Sequence, residues 1–382
     1  MRGSTERILT THVGSLPRSQ AVTDVLFTRE KGEIKDKRAA ASVISDAVRD
    51  VVRRQVEAGV DVVSDGETNK ISYATYIADR FAGFGGDTPR EPGQDLVEFP
   101  RLLTKLAERG ATAKYRRPRC IGEITLKDSE PLNDDLRNFR RAVDAARPVE
   151  AFLNAASPGV IALFQPNDFY KTQDAYLEAL GDAMRSEYEA IVNAGFLLQV
   201  DAPDLGMGRH TMYRKSSVAE YLNAAARHVE VLNHALRNLP ADRMRMHICW
   251  GNYEGPHHHD VPLEQLLPIA IKARPQALLF ESSNPRHAHE WAIFREQRVP
   301  DDKVLIPGVL STTTNYVEHP ALVAERIVRF AEIVGRERVI AGSDCGFGTF
   351  AGFGPIDPDI VYLKLGALAE GAKLASKRLW RH

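Results

Sequence analysis

Four residues in this chain combine into one chemistry. His247 and Cys249 stand two apart at the end of the short apolar run 244–249, and residues at that spacing on a strand share a face. Glu281 and Cys345 close two later runs of the same kind. Imidazole and thiolate are ligands for a soft or borderline cation, and a carboxylate with a second thiolate completes a donor set suited to Zn2+. A zinc ion so held activates thiols: a free thiol titrates near about 8.5 and is mostly protonated at neutral pH, whereas coordination deprotonates it. Singly, each residue has a plainer reading, since a buried cysteine usually serves as a small hydrophobe. The set of four on three strand ends favours the metal, with Asp344-Cys345-Gly346 turning to present its thiol.

The elements that must position these residues alternate along the chain. Apolar runs at 8–13, 60–64, 149–154, 197–200, 244–249, 277–280, 304–306 and 339–341 read as strands. Helical patterns at 37–58, 173–194, 217–238, 263–272, 321–334 and 359–379 separate them; in the first, Val43, Ala47, Val48, Val51, Val52 and Val56 form one apolar stripe ended by Gly59. About eight strand and helix units predict an α/β fold, a closed parallel (β/α)8 TIM barrel. A doubly wound open sheet is the alternative, but no Gly-x-Gly-x-x-Gly follows the first strand. The whole chain, 1–382, reads as one zinc-binding barrel, with 83–126 as an excursion between the second and third barrel strands. A run at 119–125 would be one strand too many and is assigned to that excursion.

In a barrel the carboxyl ends of the strands converge on one face, where active sites are built. Ser15, Glu67, Asp201, His247, Cys249, Glu281 and Cys345 all fall at such ends. The run His257-His258-His259 follows the His-x-Cys pair. It has the composition of a second metal tract, but reads rather as a loop over the barrel mouth, in which His257 or His259 would be a proton donor or a helix cap. Cys120 lacks comparable partners in the sequence and reads as structural.

The bulk numbers allow one large α/β barrel or two ordinary domains. The chain has 382 residues, 43% hydrophobic and 26% charged, with a formal net charge of -1. That balance gives no reason to propose nucleic acid or an anionic membrane as partner. Three cysteines make no disulfide framework, and neither a signal peptide nor an apolar run long enough to span a bilayer is evident. A cytoplasmic protein is expected.

The motifs together resemble the catalytic C-terminal half of cobalamin-independent methionine synthase and its short single-barrel relatives, which include the epoxyalkane:coenzyme M transferases. The resemblance runs from Thr11-His12-Val13-Gly14-Ser15-Leu16-Pro17-Arg18 to Ala341-Gly342-Ser343-Asp344-Cys345-Gly346-Phe347-Gly348. It implies zinc on His247, Cys249, Glu281 and Cys345. It also implies that Gly14 and Ser15, Asp65-Gly66-Glu67 and Gln199-Val200-Asp201-Ala202-Pro203 hold the amino acid part of homocysteine. The donor half departs from the family pattern. Gly308-Val309-Leu310-Ser311-Thr312-Thr313-Thr314 replaces a histidine-bearing segment, and Ala202 stands where the family has glutamate. The folate-stacking aromatic would have to come from Phe164, Phe169 or Tyr170. The expected activity is methyl or alkyl transfer to a zinc-activated small thiol, most simply homocysteine, from a folate or corrinoid donor. Glu67 and Asp201 suit an ammonium group and would repel the sulfonate of coenzyme M, unless a cation such as Arg18 offsets them. Thiol addition to an epoxide is the enzymatic alternative, and a barrel with a purely structural zinc is the non-catalytic one.

Overall fold

The computed structural model describes residues 1–380. Its centre is a parallel seven-stranded sheet, in the order Val62–Ser64, Glu150–Ala156, Leu197–Asp201, Met244–His247, Ala277–Phe280, Val304–Leu310 and Gly342–Ser343. The eighth stave is the predicted run at 8–13. It closes the ring through single bridges, Thr10 to Ala341 on one side and Thr11 to Val62 on the other. It forms no regular ladder because side chains take part of its hydrogen bonding: the Thr10 N–H donates to Asp61 Oδ2 at 2.9 Å. The (β/α)8 barrel expected from the pattern is the observed architecture. The last strand, Gly342–Ser343, begins directly after the apolar run at 339–341 rather than within it.

Strand alternation divides the core. Leu198 and Val200 face outward into the large helix-packed cluster, while Leu197 belongs to a small interior cluster with Val62 and Phe152. The same inward alternation that places Leu197 at the barrel floor places Gln199 and then Asp201 above it. On the next strand it stacks Arg245 and His247, with Cys249 two residues past the strand's end, since Gln199 pairs with Arg245 and Asp201 with His247. Arg245, 1% exposed, is held by Thr11 Oγ1 at 2.9 Å and the His12 carbonyl at 2.6 Å. Its guanidinium lies 3.9 Å from the centre of the Phe152 ring.

The helices follow their sequence patterns closely. Lys37–Glu57 starts on Asp36, whose carboxylate accepts from Arg38 N and Ala39 N, and ends before Gly59 at φ +87°. Val218–Ala235 carries a full capping box between Ser217 and Glu220. The pattern missed Gln20–Glu30, Pro158–Phe164 and Glu130–Ala146. In Pro158–Phe164 every residue up to Leu163 is buried, so it has no polar face to mark its period. Within 83–126, Phe84–Gly85 pairs antiparallel with Arg119–Cys120, outside the barrel. Helices Gln94–Val97 and Pro100–Glu108 lie between those two strands in sequence. No helix among the described residues is long and apolar enough to cross a membrane.

Candidate metal and substrate site

Cys249 and Cys345 meet at the barrel mouth with their Sγ atoms 3.5 Å apart. Together with a ring nitrogen of His247 they form a group whose ligand atoms all lie within 4.8 Å of one another. The turn bearing Cys345 is fixed by Asp344. That carboxylate accepts from Ser282 N and Ser283 N, each at 2.9 Å, and from Ser283 Oγ at 2.7 Å. One acid thus ties the loop after Ala277–Phe280 to the loop after Gly342–Ser343. Cys249 Sγ accepts from the Gly251 N–H at 3.3 Å.

His247 is 3% exposed, yet neither of its ring nitrogens has a hydrogen-bond partner. Buried polar groups are nearly always paired, so this orphan calls for a ligand. Burial, with Arg245 adding to it, pushes His247 down to about 3, which keeps the imidazole neutral with a lone pair free. Two thiols and an unpartnered neutral imidazole fit a zinc-like cation. Glu281 stands one step back. Its Oε1 accepts from Trp250 N at 2.8 Å and its Oε2 from Asn284 Nδ2 at 2.7 Å, and burial raises its carboxyl well above the usual range. The structure therefore gathers three of the four expected donors directly and leaves Glu281 hydrogen-bonded beside them.

The cavity in front of this cluster is small, and Ser15, Glu67, Asp201, His247, Cys249 and Cys345 are all in its wall. Asp201 is firmly held: Asn154 Nδ2 donates to Oδ2 at 2.9 Å and Gln199 Nε2 to Oδ1 at 2.8 Å. Glu67 is not, since its Oε2 is buried without a partner. The Glu67 backbone sits in the left-handed region at φ +53°, a conformation that costs a non-glycine residue about 1 kcal/mol or more. Burial and then the neighbouring Asp201 push Glu67 up to about 8, and burial raises Asp201 to about 6. Gly14 supports the arrangement from behind. At φ +142° it packs so closely that an added Cβ would lie 2.2 Å from Asn154 Oδ1.

Sequence reasoning missed Asn154, which joins the Val13 carbonyl to Asp201, and Lys70, whose ammonium reaches the Asn154 carbonyl at 2.5 Å. Their signal was weak: Asn154 lies within a strand and Lys70 in the loop after another, and neither residue type stands out there. The aromatic in the wall is Tyr73 and not Phe164, Phe169 or Tyr170; Phe169 is half exposed and Tyr170 stacks on Tyr176. Arg18 does not line the cavity; it donates to the Gly348 and Glu67 carbonyls. Neither His257 nor His259 lines it. His257 Nδ1 lies 3.0 Å from Asp260 Oδ2 and its Nε2 lies 3.0 Å from the Tyr253 carbonyl, while His259 meets Glu98 at the surface.

The barrel thus carries two cysteines, a histidine and a pair of acids together at its mouth. The family model for the catalytic domain of cobalamin-independent synthase matches residues 8–91 and 158–352, and the chain belongs to that family. It is similar to the methionine synthase of Saccharolobus solfataricus, 26% identical over 379 residues covering 97% of this chain and 96% of that protein. The methionine synthase of Sulfurisphaera tokodaii is 22% identical over 374 residues, covering 97% and 93%. Among solved structures, a B12-independent methionine synthase from Shewanella sp. W3-18-1 in complex with selenomethionine superposes with a TM-score of 0.75. It covers 98% of this chain and 99% of that one at 17% identity, a likeness of fold.

Proposed function

We propose that this protein is a zinc-dependent S-methyltransferase that methylates homocysteine or a closely similar aminothiol. The family and the relatives named methionine synthase support methyl transfer to homocysteine. The observation that carries the acceptor is the unpartnered Glu67 Oε2, in one cavity wall with Asp201 and the cysteine pair. His247, Cys249 and Cys345 would hold the metal, with Glu281 as the remaining protein ligand. Zinc at that position supplies a nucleophilic sulfur at neutral pH by holding the substrate thiol deprotonated.

The chain's own residues do the rest. Side by side, Glu67 and Asp201 cannot both ionise cheaply, because both are buried and like-charged. An ammonium group removes that conflict: it gives Glu67 Oε2 the donor it lacks and neutralises the pair. Asn154 and Gln199 keep Asp201 aimed while this happens, and Ser15 lies in the wall for the substrate's polar end. The same acids disfavour a sulfonate-bearing thiol, and Arg18 is turned away from the cavity, so the epoxide-opening alternative has no support from the site. The donor would approach from a neighbouring cleft lined by Tyr253, Tyr316, Arg109 and Thr313, which shares Asn252 with the site cavity.

Calorimetric titration of zinc-loaded protein with L-homocysteine and with 4-mercaptobutanoate, the same chain without the amine, tests the assignment. Homocysteine binding at least about tenfold tighter is expected from one charge-assisted hydrogen bond. Equal affinities would remove Glu67 and Asp201 from substrate recognition.

A further inference from the structure

The run His257-His258-His259 is divided by the fold. His257 turns inward onto Asp260, whereas His258 and His259 stay near the surface and converge on a single carboxylate. His258 Nε2 lies 2.8 Å from Glu98 Oε2, and His259 Nε2 lies 2.6 Å from Glu98 Oε1. The two imidazole centroids are 4.1 Å apart, and ligand atoms of all three residues fall within 4.8 Å of one another. Two imidazoles and a carboxylate at that range are the donors of a borderline divalent cation, with positions left for water.

The backbone on both sides is already fixed, which separates this cluster from a chance meeting of surface side chains. Glu98 caps the short helix Gln94–Val97. In that helix the buried Asp95 accepts from Tyr253 Oη at 2.7 Å and from the His257 N–H at 3.2 Å. Phe99 packs edge-on against the His258 ring. The donors are thus presented by two segments about 160 residues apart in sequence that are held together independently of any metal. Less ordering is then needed when a cation binds. The loop bearing the histidines begins just after Cys249 and contributes Gly251 and Asn252 to the wall of the substrate cavity.

We propose that Glu98, His258 and His259 form a second divalent-cation site of the zinc, cobalt or nickel class, separate from the cysteine site. Bound there, the cation clasps the segment around Gln94–Val97 to the loop over the substrate cavity. The exposed position makes this cation exchangeable, so the clasp would follow the supply of free metal while the deep site stays loaded.

Metal-free full-length protein titrated with Co2+ tests this, because thiolate-to-cobalt charge-transfer absorption marks the cysteine site and is absent from a His2Glu site. Two equivalents are expected in the wild type, only one of them carrying the sulfur band. His258→Ala/His259→Ala should take up one equivalent with the sulfur band intact, which also shows that the variant has folded. Glu98→Gln should weaken the second equivalent by about tenfold or more. Hydrogen exchange across 251–260 should slow with the second equivalent in the wild type alone. A single equivalent in the wild type, or a second one indifferent to these substitutions, would overturn the proposal. Loss of the sulfur band alone would instead count against the assignment of the deep site.

Discussion

Replacing Glu67 by Gln should make the metal-free protein more stable and the substrate complex weaker. Burial raises the Glu67 carboxyl from an ordinary 4.5 to about 8, so the folded protein holds this proton to a higher pH than the unfolded chain does. The stability tied to it is intact below about pH 4.5 and is lost as pH rises towards 8. Each pH unit in that window costs about 1.4 kcal/mol, which amounts to about 3 kcal/mol by pH 7. Glutamine carries no such charge and keeps the side chain's size. Urea unfolding of metal-free wild type and Glu67→Gln should therefore coincide near pH 4.5 and diverge steadily to pH 8, with the variant the more stable. Homocysteine affinity of the zinc-loaded variant should move the other way, by about ten- to a hundredfold for one lost charge-assisted hydrogen bond. A variant no more stable than wild type at pH 8 would refute the claim that this carboxylate is held at a cost for the sake of the ligand.

Cys249→Ser or Cys345→Ser should lose zinc and activity together while circular dichroism shows an intact barrel; activity retained in zinc-free protein would sink the mechanism. Gly14→Ala should displace Asn154 and with it Asp201. The expectation is a stability loss of about 1–3 kcal/mol and a raised KM for the thiol, both readable in one purified variant. Arg80→Met should cost about 3–5 kcal/mol in urea unfolding, because it strands Asp135 and Glu187, which Arg80 pairs at 2.6 and 2.7 Å.

Much of this was legible in the sequence because barrel strands are short and buried and end in chemistry. His247 and Cys249 share a face by strand period alone, and the helix from Lys37 to Glu57 follows its valine stripe almost to the residue. Long-range partners were not legible. Asn154 reads as an ordinary strand polar residue until the fold brings it to Val13 and Asp201, distant in sequence. The eighth stave reads as a strand, yet Asp61 takes the Thr10 N–H and reduces it to bridges. The three consecutive histidines looked like one feature. The loop sends His257 inward at φ +52° and leaves its neighbours to Glu98, a division that depends on a segment far upstream.

The central claim is that a substrate thiol joins the metal held by His247, Cys249 and Cys345, with its amine against Glu67. Zinc-edge X-ray absorption tests it most directly, on protein with Glu98→Gln and zinc confined to the cysteine site, before and after L-homocysteine. A gain of one sulfur neighbour at the expense of oxygen or nitrogen is predicted, and a weaker gain with 4-mercaptobutanoate at the same concentration. An unchanged zinc environment at saturating homocysteine would contradict the account.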